Sequence, residues 1–188
     1  GLLANLEYLK RSPSGLKAVR ADVESAIKSV ESMIGDILDY SREVALETQP
    51  TELAPLLEAT LKGSVKRHEG LDISLRYEFK HSKKPLLDRE RIIRVLANII
   101  ENGIEAISVI GQKKSGVIEV LTRDVTCGDK EFIELTLAND GPAFREEDIP
   151  KLFESFFTSG KDKGTGIGLA SVQKIVLLHG GTITARNR

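Results

Sequence analysis

Ile149–Gly181 reads IPKLFESFFTSGKDKGTGIGLASVQKIVLLHGG, and here a glycine-rich loop runs straight into a helix pattern. The run Gly164-Thr165-Gly166-Ile167-Gly168 is followed by Leu169, Val172, Ile175, Val176 and Leu178, which recur at helical spacing. Glycine lets the backbone turn tightly and approach a ligand, and the first amides of a helix have no partner within it. Such an end carries partial positive charge and suits a phosphate chain. Lys161 and Lys163 stand just before it. The run lacks the G-x-x-x-x-G-K-[ST] of a P-loop, and no strand leads into it as in a dinucleotide-binding fingerprint. Alone it also fits an ordinary loop, so its meaning depends on what precedes it.

The chain has 188 residues, enough for one domain with an appendage. Its formal net charge is −1, which supplies no general attraction to nucleic acid or an anionic membrane. Charged residues at 29% and hydrophobic ones at 40% fit a folded, water-soluble chain. The single cysteine, Cys127, excludes an internal disulfide and a cysteine-rich zinc site and favours a reducing compartment. No apolar run has the length of a membrane span. Gly1–Leu6 starts inside an apolar-periodic pattern, and Thr182–Arg188 reads as a strand with no following partner, so the sequence is expected to be a fragment.

Upstream of the glycine loop, residues 1–11 read as a helix tail stopped at Ser12-Pro13-Ser14-Gly15. A long helix over about 16–46 carries Leu16, Val19, Val23, Ala26, Val30, Met33, Ile37, Leu38 and Val44. Two helices cannot enclose a core, so this hairpin is expected to pair with a second copy in a four-helix bundle, the alternative being that it packs on the rest of its own chain. Glu47–Thr51 reads as a linker, with Thr51 capping a helix that carries Leu53, Leu56, Leu57, Ala59 and Leu61. Ile73, Leu75, Tyr77 and Phe79 alternate as in a half-buried strand, and a strong helix follows over Asp88–Val109. Val117–Val125 and Phe132–Leu137 read as a hairpin turning at Cys127-Gly128-Asp129-Lys130. A short helix near Glu146–Phe153, a helix over about 167–179 and a final strand complete the pattern. Helices and strands without regular βαβ alternation predict an α+β fold, a mixed sheet with helices on one face.

Two stretches can carry chemistry. In the helix over 88–109, Ile92, Val95, Leu96, Ile99, Ile100, Gly103 and Ile107 form an apolar face, opposite Asn98, Glu101, Asn102 and Glu105. Asn98 and Asn102 stand one turn apart, and asparagine is a mediocre helix former. An amide oxygen is a hard, neutral ligand that suits magnesium beside nucleotide phosphates, although a plain solvated face also accounts for the pattern. Further on, Leu137-Ala138-Asn139-Asp140-Gly141-Pro142-Ala143-Phe144 is a strand that ends in a polar pair and a turn. A side-chain oxygen there can accept from the exocyclic amine of adenine, with Gly141 letting the base lie close. An Asn-Asp-Gly-Pro turn also needs no ligand.

Taken in order, an asparagine helix, a strand ending in [DN]-x-G-P, a phenylalanine-rich segment (Phe153, Phe156, Phe157) and G-T-G-x-G-L closely resemble the N, G1, F and G2 boxes of sensor histidine kinases. These belong to the ATPase superfamily that includes gyrase, Hsp90 and MutL. The segment 14–46 resembles the second helix of the family's dimerisation and phosphotransfer domain, and His179-Gly180-Gly181 its usual H-G-G. The resemblance implies a truncated dimerisation hairpin over 1–47 and a two-layer α/β ATP-binding domain over 51–188. It implies a cytoplasmic enzyme core that uses ATP and Mg2+, dimerises through the hairpin, and passes a phosphoryl group from a histidine to a response-regulator receiver domain. Asn102 matches the family's magnesium-binding asparagine. Asn98, Glu105, Asn139, Gly141, Ala143, Phe157, Lys161, Gly164, Thr165, Gly166, Ile167, Gly168 and Leu169 are expected around the nucleotide, with Phe156 and Phe157 packing a lid down.

This chain departs from the pattern in three places. Asn98 stands where the hydrolysing relatives have a glutamate base, and an amide takes no proton at neutral pH, which favours transfer to protein unless Glu101 or Glu105 substitutes. Asn139 replaces the aspartate that receives the adenine amine, which forgoes charge assistance worth about 1 kcal/mol. Ala143 replaces a glycine and is strained by roughly 1–2 kcal/mol if the position needs a left-handed backbone. In addition, no phosphoacceptor motif is present, so that histidine is expected upstream of Gly1, while His68, His81 and His179 read as surface or structural. Two alternatives are an ATP-hydrolysing clamp of the same superfamily and a non-enzymatic nucleotide-binding scaffold dimer.

Overall fold

The structure, a computed structural model, describes residues 45–68, 70–109, 115–158 and 166–188 together with Val23, Ile27 and Val30. The chain divides into two units, Gly1–Arg42 and Glu43–Arg188. In the first, Val23, Ile27 and Val30 are helical and each about half exposed. Their spacing of four and three places three β-branched side chains on one helix face. The rest of the expected hairpin lies outside the described residues.

The second unit runs β1 (Gln49–Pro50), α1 (Leu53–Arg67), β2 (Asp72–Lys80), β3 (Leu86–Leu87), α2 (Arg89–Val109), β4 (Ser115–Cys127), β5 (Lys130–Asn139), a 3-10 turn (Ile149–Lys151) and α3 (Gly168–Leu178). Strands β2, β4 and β5 lie side by side in that order, β2 parallel and β5 antiparallel to β4, which makes the expected mixed sheet of an α+β fold. The hairpin turns where expected, with Cys127 opposite Lys130.

Strand alternation decides which side of the sheet is covered. Leu75, Ile118 and Asn139 stand abreast, as do Tyr77, Val120 and Leu137, then Phe79, Thr122 and Leu135. On this face Ile118 and Val120 pack into a core with Leu53, Leu56, Leu57 and Leu61 of α1 and with Leu96, Ile100, Ile104 and Ile107 of α2. Each fully buried leucine or isoleucine contributes about 1.5–3 kcal/mol. The opposite face carries ion pairs, Arg76–Glu119 at 3.5 Å and Arg123–Glu134 at 2.9 Å, and faces water. A second cluster, Val95 with Val172 and Ile175, fastens α3 to α2.

Five local expectations are corrected. Ala45 and Leu46 are not helical, because the Glu47 amide bonds the Asp88 carboxylate (3.2 Å) instead of a carbonyl one turn back. The linker is partly structured, since Gln49–Pro50 pairs antiparallel with Leu86–Leu87. Thr51 does not cap α1. Its hydroxyl donates backwards to the Gln49 carbonyl (3.0 Å), and Glu52 holds the cap position without a side-chain bond. Between Arg145 and Phe157 the chain makes successive i→i+3 turns, with a 3-10 element only at Ile149–Lys151. Residues 182–188 form no strand. Instead the Asn187 side-chain amide accepts from the Phe144 amide and donates to its carbonyl, both at 2.9 Å, a two-bond clasp that a ladder would make with backbone.

The H-G-G segment has a structural role. Gly181 N–H reaches the Val176 carbonyl (3.0 Å) and Gly180 N–H the Leu177 carbonyl (2.9 Å), closing α3 in a Schellman motif with Gly180 left-handed at φ 73°. Gly180→Ala is expected to lower unfolding stability by about 1–2 kcal/mol. In contrast, Gly63→Ala, inside α1 with 3.9 Å to the nearest Arg67 atom, should raise it by up to about 1 kcal/mol. Urea denaturation of both variants tests the opposite signs.

Candidate functional site

Helix α2 forms the wall of the site, and its spacing decides what lies against it. Asn98, Asn102 and Glu105 follow one another along one side, the first two half-buried and Glu105 exposed. The N-terminus of α3 lies against Asn98, since a Cβ on Gly168 would stand 3.9 Å from the Asn98 amide. One turn further, Gly103 faces Asn139, whose Nδ2 would be 3.5 Å from a Cβ there. Beyond that, Gly141 meets Ala106, where a Cβ would come within 2.9 Å of the alanine's own. The asparagine helix, the strand-end turn and the start of the glycine helix are therefore brought together.

The N-terminus of α3 is rich in donors. Ile167 holds the cap position, and its hydrocarbon side chain makes no capping bond. Facing it, Asn98 Nδ2 is a buried donor with no hydrogen-bond partner among the described residues. Burying an unpaired amide donor costs about 1–3 kcal/mol, so its position invites an acceptor. Gly166 is left-handed at φ 67°, and any Cβ would overlap the Phe156 backbone, whose amide donates to the Gly166 carbonyl (2.9 Å). Phe156 is itself left-handed at φ 67° and 76% exposed, while Phe157 is half-buried. Ile167 is buried and Leu169 half-buried. Lys161, Gly164 and Thr165 lie outside the described residues.

At the end of β5, Asn139 Oδ1 accepts the Gly141 N–H (2.9 Å), and Asp140 Oδ1 accepts the Val117 N–H (2.8 Å). The second bond holds the turn against β4, while Gly141 packs on Ala106 of α2. Gly141 is required for space rather than for dihedral freedom: a side chain there would collide with Asn139 and Ala106. Ala143 does not occupy the left-handed region, so the strain considered for it is absent.

Glu101 is spoken for. Its carboxylate takes Arg67 and His68, both at the C-terminal end of α1. Burial alone would raise its pKa, but the bonds from His68 and Arg67 outweigh burial and hold it below the ordinary glutamate value. Asp88, which periodicity placed inside the helix, instead caps it. Its carboxylate accepts the Arg91 N–H (3.2 Å), the Arg91 Nε–H (3.1 Å) and the Glu47 N–H (3.2 Å). The Asp88 N–H in turn donates to His179 Nε2 (3.0 Å), which fixes the tautomer in which Nδ1–H serves the Ile175 carbonyl (2.8 Å). An aspartate just before an apolar-periodic run was the sequence signal for this cap. Nothing in the pattern pointed to His179 as its partner.

The donor set fits a nucleotide with magnesium. Among the described residues there is no cluster of three or more acidic, histidine or cysteine side chains to hold an ion alone. Magnesium takes few protein oxygens and completes its shell with phosphates and water, so a single hard oxygen such as the amide oxygen of Asn102 suits it. A groove of about 260 Å³ between α1 and α2, lined by Leu56, Thr60, Ile93 and Ala97 among others, contains none of the expected site residues.

Residues 87–188 match the family described as histidine kinase-, DNA gyrase B-, and HSP90-like ATPase. The sensor histidine kinase ZraS of Klebsiella oxytoca is 31% identical over 96% of this chain and 38% of its own length. The solved catalytic domain of histidine kinase ThkA is similar at 28% identity with a TM-score of 0.63, over 76% of this chain and 89% of that one. ThkA in complex with response regulator protein TrrA gives 26% identity and a TM-score of 0.75 over 97% of this chain and 52% of that one. The chain spans well under half the length of relatives such as ZraS and the BaeS kinase of Escherichia coli.

The lowered pKa of Glu101 sets a sign. Its contribution to stability is complete above the ordinary glutamate pKa and is lost as pH falls through the depressed folded value. Glu101→Gln should therefore cost about 1–2 kcal/mol at pH 7, and the deficit should shrink below about pH 4. Denaturant titrations of both proteins between pH 3 and 7 measure it.

Proposed function

The chain belongs to the histidine kinase-, DNA gyrase B- and HSP90-like ATPase family, and we propose that its second unit is the ATP-binding catalytic domain of a protein-histidine kinase. The observation that carries this reading is the start of α3, which has no side-chain cap, set against the buried Asn98 Nδ2, which has no hydrogen-bond partner among the described residues. Backbone amides and a neutral amide donor converge there without a carboxylate among them, which suits phosphate oxygens. In this proposal the amides of Gly168 and Leu169 and the Asn98 side chain hold phosphates, assisted by Lys161, Gly164, Thr165 and Gly166. Asn102 ligates magnesium, which neutralises charge on the phosphates. Asn139 and Gly141 face the base.

The protein's contribution is positioning and fixed dipoles. Two of the groups weighed as a base for water are ruled out, since Asn98 is an amide and Glu101 is committed to Arg67 and His68. That favours a protein acceptor over water. The three histidines of the chain all have structural bonds, His68 to Glu101, His81 to Thr122, and His179 to Asp88 and Ile175. The acceptor histidine is therefore proposed to lie outside this sequence. Dimerisation through residues 1–47 belongs to the same proposal and is supported by the half-exposed apolar face of Val23, Ile27 and Val30. So does transfer to an aspartate of a response regulator, supported by the ThkA–TrrA complex.

The test is to incubate the full-length protein with γ-labelled ATP and magnesium. Acid-labile label on protein, reduced about a hundredfold in Asn102→Ala, is the expected result. Phosphate released to solution without label would replace the kinase with a hydrolase. Nucleotide binding with neither outcome would leave a regulatory module.

A further inference from the structure

We infer that the outer edge of β2 is a pairing surface for a second copy of this chain, joined antiparallel about Tyr77. The contact lies within the second unit and is independent of the dimerisation proposed for residues 1–47.

Strand β2 runs over nine residues and, among the described residues, pairs on one side only, parallel to β4. No backbone bond among them reaches it from the other side. An unpaired edge is a template for another strand, and proteins blunt one with a short strand, a proline, a bulge, an inward-pointing charge or charges on the outside. The first four are missing from β2. Its register with β4 advances one for one from Asp72 to Lys80, and its sequence DISLRYEFK holds no proline. Ile73, Leu75 and Phe79 pack towards the core, and Tyr77 on the same face is 41% exposed.

The remaining device is charge on the open face, and here the charges complement themselves. Opposed residues of an antiparallel pair point to the same side, so a symmetric register that keeps the covered faces together is centred on a residue. Centred on Tyr77, Arg76 of each copy lies opposite Glu78 of the other, Leu75 meets Phe79, and Tyr77 meets its own copy. Centred on Arg76, Asp72 would meet Lys80 but two arginines would be opposed at the axis. Centred on Glu78, two glutamates would be opposed and Arg76 would face Lys80. Opposite charges across a pair stabilise it and like charges repel. Charge therefore selects the Tyr77 register, in which two-fold symmetry forms both Arg–Glu pairs at once. Neither side chain is committed to the interior: Arg76 stands 3.5 Å from Glu119 and Glu78 2.9 Å from Lys80, and both are well exposed. The result is one sheet with three strands from each copy.

The experiment is disulfide trapping. In this register position 74 faces position 80 of the other copy, with Cα atoms about 4.5–5.5 Å apart, within reach of a disulfide. Within one copy the same positions lie about 20 Å apart along the strand. The full chain carrying Ser74→Cys and Lys80→Cys, with Cys127→Ser to remove the exposed native thiol, is oxidised mildly and run on a denaturing, non-reducing gel. All the altered side chains are exposed, so the fold is left standing. A covalent dimer is expected from the double-cysteine variant and none from either single cysteine, which lies about 20 Å from its own copy. Adding Glu78→Arg, which opposes like charges at both pairs, should lower the yield about tenfold, and adding Arg76→Glu to that should restore it. Absence of the dimer from the double-cysteine variant overturns the proposal. So does a dimer formed as readily by a single cysteine, or one indifferent to Glu78→Arg, either of which would mark chance collision or a different register.

Discussion

Helix α2 is closely covered on two sides, and at one contact, Gly141 on Ala106, there is no room for an added carbon. On one side the helix buries Leu96, Ile100, Ile104 and Ile107 against α1 and the sheet. Along another, Gly168, Asn139 and Gly141 approach Asn98, Gly103 and Ala106, and at Gly141 a Cβ would come within 2.6 Å of Asn139 and 2.9 Å of Ala106, so only glycine fits there. Interiors pack densely and do not yield to an added methyl without strain. The core and the site therefore share one rigid element, and the asparagines are held in place by the same packing that stabilises the unit.

A second constraint sits at the N-terminal end of that helix. Asp88 joins three pieces of chain: Glu47 ahead of β1, Arg91 in α2, and His179 at the end of α3. The carboxylate is nearly buried, and burial raises its pKa, but the Arg91 and Glu47 amides and the Arg91 charge hold it below the ordinary aspartate value. The two ends of α3 thereby have different duties. Its C-terminus is locked by the Schellman motif and His179, while at its N-terminus Ile167 offers no side-chain cap.

Much of this was legible in the sequence. Period-two alternation with a Gly-Asp turn located β4 and β5, and the apolar stripe located α2 and its polar side. The order of Asn98, Asn102, Asn139, Gly141 and the glycine run identified the family. Side-chain bonding was less legible. Whether the Thr51 hydroxyl reaches forward to an amide or back to the Gln49 carbonyl depends on the distant pairing of β1 with β3. Glu101 looked as available as Glu105 on the helix face. The arrival of Arg67 and His68 from α1 is what commits Glu101. The final segment alternates like a strand, but the clasp of Asn187 on Phe144 takes the place of a ladder.

The amino-acid sequence by itself determined which elements form, which faces are apolar, and the supply of chemically suitable groups. These follow from dihedral preference, period and residue type, all local properties. Tertiary structure alone decided which of those groups are spent. Asn139 has its oxygen engaged because Gly141 folds back on it, and Asn98 holds a buried donor with no hydrogen-bond partner among the described residues. A hydrogen bond needs both partners in place, and where they come from separate elements no stretch of sequence contains both.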